Sequence, residues 1–289
     1  MASALEYAQK AGELFTLPDI VIRLQDLIES DSASMTDISE VVMLDPALTA
    51  KILKLANSPL YNFSSQIDTV NRAISVIGMA ELFNLALATS AVSAVSENVK
   101  GIDIDHFWQV GVHCGLIGRE LASSCKVRKK EKLFVAGLLH DIGQLVALDN
   151  NAELTQQVLA DTSGTSPWEK QQELFGFSWA ECGAELLQLW HLPEDLWKPI
   201  AGQHTLKPTD SEEQNLFTAI IHIASRAANQ SLSAALPEEK QFDYTATIAP
   251  EAWKITGLQV DQLEEAVGFA QMEAINVISI ICPSSATVY

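Results

Sequence analysis

Apolar residues recur at spacings of three and four along almost the whole chain. That periodicity lays a single apolar stripe along a helix, whereas a half-buried strand would alternate at every second residue. Val21, Leu24, Leu27 and Ile28 form one stripe in "TLPDIVIRLQDLIES"; Leu48, Ile52 and Leu55 form another in "LDPALTAKILKLANSP". Breakers are sparse, with 14 glycines and 10 prolines in 289 residues. With 48% hydrophobic residues as well, the chain is predicted to be all-α, built of regular helices around a substantial core.

Local punctuation places several helix ends. Ser34 or Thr36 can cap the helix in "SASMTDISEVVML". Asp45 suits an N-cap and Pro46 a first helical residue, while Asn57-Ser58-Pro59 stops that helix. Gly78 is expected to break the apolar run "RAISVIGMAELFNLALATSAVSAV" in two. The polar "SENVKGIDID" is the best boundary, giving an N-terminal helical lobe over 1–98 and a second helical lobe over 99–289. "SLSAALPEEKQFDYTATIAPEA" reads as a surface loop, "VDQLEEAVGFAQMEAINVISII" as a final amphipathic helix, and the stretch after Cys282 as a tail.

Charge narrows the partners. Thirty-seven acidic against 18 basic residues give a net charge of -19, which repels nucleic-acid phosphates and anionic lipid. The basic cluster "KVRKKEK", Lys126 to Lys132, reads as a solvated turn between helices. Two short helices meeting before "LDPAL" could form a helix-turn-helix, but the second offers only Lys51 and Lys54, so core packing is the plainer reading. Cys114, Cys125, Cys182 and Cys282 form no CxxC, a pattern of free thiols in a reducing compartment. No signal-peptide core and no bilayer-length apolar run occur, so the chain is predicted to be cytoplasmic, with neither nucleic acid nor membrane as a partner.

All six histidines, His106, His113, His140, His191, His204 and His222, fall in the second lobe. One sits beside an aspartate in "GLLHDIGQLVAL", which reads as part of a central helix, apolar nearly all round, with His140 and Asp141 in its middle. Burying an ionisable pair is costly without partners or a metal. The pair's plainest role is a hydrogen-bonded unit in which Asp141 orients the imidazole or accepts helix-terminus amides. His191 is expected at a helix C-terminus, His106 and His222 as surface or packing residues, and Cys182 as a packed thiol. No GxSxG, P-loop or dinucleotide fingerprint is present.

Several blocks together resemble the HDOD family, the HD-related output domain of bacterial signalling. They are "LDPALTAKILKLANSPLY", "RAISVIGMAEL", Phe107-Trp108, "FVAGLLHDIGQL", "LFGFSWAECGAELLQLWHLPEDL" and "IAGQH", covering most of residues 15 to 230 in order. The resemblance implies an N-terminal helical lobe packed on a bundle like that of the HD-domain metal-dependent phosphohydrolases. It also implies a metal held by an early histidine, the adjacent His-Asp and a late aspartate. On a continuous helix, neighbours point about 100° apart, yet both can reach one ion above it.

This chain keeps the doublet His140-Asp141 and keeps His204. The early histidine position holds Val110, with His113 one turn later; the late aspartate position holds Ser225, with His222 one turn earlier. Trp179 and Gln203 stand where many relatives carry histidine. A degenerate site of His140, Asp141, His204 and His113 is therefore expected, taking a divalent ion (iron, manganese, nickel, zinc or magnesium) only if displaced ligands substitute. Trp179, Gln203 and Asn57 are candidates for a ligand or partner pocket. The expected function is a stand-alone, non-catalytic regulatory module that binds a signalling protein or a small, nucleotide-like ligand; the length leaves no room for a receiver, cyclase or kinase domain. The alternative is a divalent-metal phosphohydrolase acting on nucleotides or phosphodiesters.

Overall fold

The computed structural model describes residues 2–12, 15–30, 33–61, 63, 65–96, 99–232 and 246–282. Among them no strand occurs. The helices are α1 (Ala4–Gly12), α2 (Asp19–Glu29), α3 (Met35–Met43), α4 (Pro46–Ala56), α5 (Val70–Ile77), α6 (Met79–Ser96), α7 (Ile104–Ser124) and α8 (Lys130–Leu138). There follow α9 (Ile142–Asn150), α10 (Ala152–Leu159), α11 (Pro167–Phe175), α12 (Trp179–Leu189), α13 (Glu194–Gly202), α14 (Glu212–Ser231), α15 (Pro250–Thr256) and α16 (Val260–Ile281). Most of the expected loop before α15, and the tail after Cys282, lie outside the described residues.

The chain forms two compact units, one of residues 1–15 and 99–271, the other of 16–98 and 272–289. Chain order alone would leave the first fifteen residues with the lobe they precede. They join the other unit because α1 packs on α12 and α9, and the Trp190 indole N–H donates to the Phe15 carbonyl at 2.8 Å. Within that unit α7 packs on α8 and α14, and α12 on α9 and α13. Trp108, Phe134 and Phe217 are fully buried there. Burying each such side chain stabilises by about 1.5–3 kcal/mol.

In the other unit, α2, α4 and α5 pack on α6 around Leu24, Ile52, Leu55, Ile74, Leu82 and Leu85. Local sequence sets the helix starts. Ser34 and Asp37 close a capping box on α3, and Thr69 accepts the Arg72 amide at the start of α5. The Asp45 carboxylate accepts the Ala47 and Leu48 amides at 2.9 and 3.0 Å, and Pro46 needs no acceptor for its nitrogen. Asp45→Ala is expected to cost about 1 kcal/mol in denaturant unfolding, with the slope unchanged. Gly78, at φ 91°, separates α5 from α6, which diverge by 116°. Among the described residues no single helix is long and apolar enough to cross a membrane. Lys51, on α4, is turned to the Ser93 hydroxyl of α6 at 3.0 Å.

Candidate functional site

The His-Asp doublet does not sit within a helix. α8 ends at Leu138, residues 139–141 form a turn, and α9 begins at Ile142. The expectation of one continuous helix fails because each half is held against a different neighbour, backbone on backbone. A Cβ on Gly137 would lie 2.6 Å from the Gly115 Cα of α7, and one on Gly143 would lie 1.9 Å from the Trp179 carbonyl oxygen of α12. Only glycine permits either approach. The His140 ring adds to the break. Its Nδ1 meets the Gly137 carbonyl at 2.7 Å, taking up an acceptor near the end of α8.

That contact fixes the ring. A carbonyl only accepts, so Nδ1 carries the proton and Nε2 presents a lone pair. A chain of bonds braces the turn from behind. The Gln203 side-chain amide donates to the His140 carbonyl at 2.8 Å, and His222 Nδ1 donates to the Gln203 carbonyl at 2.6 Å. His222 Nε2 then accepts the Ala249 amide at 3.0 Å. His222 and Gln203, both buried, thus tie α14 and the end of α13 to the doublet.

Asp141 behaves differently from its expected role. It neither orients the His140 ring nor caps α9: the ring bonds Gly137, and no amide of α9 meets the Asp141 side chain. It is half-buried, and desolvation pushes its carboxyl up to about 7. Burial brings His140 down to about 4.

Arg226 follows the Ser225 position and dominates the local field. Its guanidinium lies 4.6 Å over the Trp168 ring, which stacks on His204 at 5.0 Å. It donates towards His204 Nδ1 at 3.4 Å and the His222 carbonyl at 3.4 Å. Among the described residues no carboxylate pairs with it. Burial, then this cation, lowers His204 to about 3 and His222 to about 4. The neighbouring Cys114 thiol is pushed far up by burial.

A cavity of about 450 Å³ opens in front of the doublet. Val110 lines it beside His140 and Asp141. Gln144 lies one turn beyond Asp141, Asn229 one turn beyond Ser225, and Phe107, Leu159 and Asp103 complete much of the wall. The remaining candidates lie elsewhere. His113 is buried on α7 with Nδ1 on the Gln109 carbonyl at 2.8 Å, and burial lowers its pKa. His204 stacks on Trp168, away from the cavity lining. Trp179 and Gln203 are buried supports outside that lining. Asn57 belongs to the other unit, where its side chain bonds both backbone groups of Ile67 at 2.7 Å beside a groove of about 700 Å³.

The donor set does not fit a catalytic metal. Of the four candidate ligands only His140 and Asp141 face the cavity, and the wall beside them is Val110. Among the described residues no group of three or more histidine, cysteine, aspartate or glutamate side chains could hold an ion. Two features of the region went unread in the sequence: Arg226, although it adjoins a position singled out there, and the cavity contributions of Gln144 and Asn229. Other residues sit as expected. His191 follows α12 at φ 56°, and the Cys182 thiol is packed near the Ala4 carbonyl and raised to about 12 by burial. In the basic cluster Lys132 pairs with Asp195.

The sequence model of the HDOD domain matches residues 14–206. The chain belongs to the HDOD domain family. Two solved structures extend the likeness to nearly the whole chain. A Shewanella amazonensis SB2B protein called "Putative phosphohydrolase" is 26% identical with a TM-score of 0.73, over 99% of each chain. An HDOD domain protein of Geobacter sulfurreducens, with unknown function, is 21% identical with a TM-score of 0.72, over 96% of this chain and 97% of its own. A curated relative in Treponema pallidum (strain Nichols) is 23% identical over 223 residues, 75% of this chain; the HDOD chain spans 42% of that relative's length.

Proposed function

We propose that this HDOD chain is a regulatory binding module that performs no metal-dependent phosphoester hydrolysis, holding a small ligand in the cavity before His140 and engaging a protein partner. The observation that carries this reading is the replacement of two ligand positions around the doublet: Val110 lines the cavity where the early histidine is expected, and Ser225 stands where the aspartate is expected. Losing one partner behind a metal ligand typically costs about 10–100-fold in affinity or activity, and losing two ligands outright costs more. Arg226 adds a fixed positive charge beside the histidines, which opposes a divalent ion. The net charge of -19 favours a partner with a basic patch and speeds encounter at low salt. The four cysteines are free thiols, which supports a cytoplasmic placement.

The competing reading is a metal-dependent phosphohydrolase, favoured by His140 and Asp141 lining one cavity. Metal content separates the two. Protein purified without chelator is expected to carry only substoichiometric transition metal and to leave a panel of phosphomonoesters and phosphodiesters at their uncatalysed rates with added manganese. A stoichiometric ion that His140→Ala removes, or turnover that the same variant abolishes, would overturn the regulatory reading.

A further inference from the structure

At the doublet the cavity presents acceptors, and neither lysine nor arginine lines it. His140 is 5% exposed, its Nδ1 proton is spent on Gly137, and its Nε2 lone pair has no donor among the described residues. The Asp141 carboxylate takes no amide from the helix it precedes. Asp103 spends one oxygen on the His106 amide at 3.0 Å and keeps the other. Arg226 lies outside the lining, held by Trp168, His204 and the His222 carbonyl. Phe107, Val110 and Leu159 give the wall an apolar side; His106, Gln144, Gln156 and Asn229 also line it, with the Gln156 and Asn229 amides donating to the Gly101 and Ser225 carbonyls at 2.8 Å. At the doublet a phosphate would bring acceptors to the His140 and Asp141 acceptors and negative charge towards Asp141 and Asp103, with no guanidinium in the lining to offset either. A group rich in N–H donors and positively charged complements the same wall.

We propose that the cavity binds an organic cation with an apolar body, an aryl or alkyl amine or amidine, its N–H groups donating to the Asp141 carboxylate and to His140 Nε2 while its body lies against Phe107, Val110 and Leu159. This deepens the regulatory reading and rests on it, since a resident metal would consume the same two acceptors.

The test uses the full chain and four probes: benzamidine, its uncharged analogue benzamide, inorganic phosphate and adenosine monophosphate, each titrated without added metal. Benzamidine is expected to bind one to one by calorimetry and to raise the unfolding midpoint, while the other three do neither. Asp141→Asn keeps the shape and removes the charge; it should weaken benzamidine at least about tenfold, a loss of roughly 1.4 kcal/mol. Val110→Trp fills the space and should abolish binding, with unchanged helical circular dichroism as the folding control. Benzamidine that fails to bind, binds no better than benzamide, or is indifferent to both substitutions overturns the proposal. So does preferential binding of phosphate or the nucleotide. None of these outcomes restores a metal, so the regulatory reading stands or falls separately, on metal content and turnover.

Discussion

Gly143→Ala should lower the unfolding midpoint by on the order of 6–12 °C. The added methyl carbon would lie 1.9 Å from the Trp179 carbonyl oxygen and 2.5 Å from the Gly183 nitrogen. Both are backbone atoms inside helix packing, so no side chain can swing aside; α9 must move off α12 as a body. Overpacking typically costs 1–3 kcal/mol and occasionally more, and the upper end, about 3 kcal/mol, applies where backbone meets backbone. In a unit of this size each 1 kcal/mol is worth roughly 2–4 °C. Gly268→Ala is the control. It also lies within a helix, a Cβ there meets nothing within 4 Å, and the better helix former should add up to about 1 kcal/mol. Thermal melts of the two variants should diverge in sign; a Gly143→Ala protein as stable as wild type would remove the clamp from the explanation of the turn.

Acid should unfold this protein steeply below neutrality. His140, His204 and His222 are held at about 4, 3 and 4, against an ordinary 6.5. The unfolded chain therefore binds protons on these rings that the folded chain refuses, and stability falls as pH drops from 6.5 towards 4. Asp141 acts in the opposite direction: its folded carboxyl near 7 keeps a proton that the unfolded chain releases above 3.8. Three protons taken up on these rings and one released leave a net uptake of about two, or about 3 kcal/mol per pH unit, and His113, also lowered by burial, adds in the same direction. Denaturant unfolding at pH 5, 6 and 7 gives this slope directly. His222→Gln, which retains an amide donor and an acceptor without a proton to take up, should flatten it by about one proton. A stability unchanged between pH 5 and 7 would mean the rings are solvated.

Much of the architecture was legible in short-range chemistry. Asp45 and Pro46 start α4 where their side chains dictate, and Gly78 separates α5 from α6. The doublet's turn was not legible, because the apolar pattern runs through it without interruption. What breaks the helix there is contact with Gly115 on α7 and with Trp179 and Gly183 on α12, residues distant in sequence. The site was half legible. The register that puts Val110 in the early histidine position also brings it to the cavity wall, while Trp179 and Gln203 turned out to be supports behind it. Arg226 escaped notice because a lone arginine on a helix ordinarily reads as solvated; its stacking on Trp168 depends on α11 and α14 meeting.

The stretch that defines kinship is shorter than the body that folds. The match to the family's sequence model ends at residue 206, yet α14, from Glu212, supplies the His222 proton to the Gln203 carbonyl and the Asn229 side of the cavity. At the other end, α1 lies ahead of residue 14 and fills a place against α9 and α12. A piece excised at the limits of resemblance would keep the His-Asp signature and lose the structure that holds it in place.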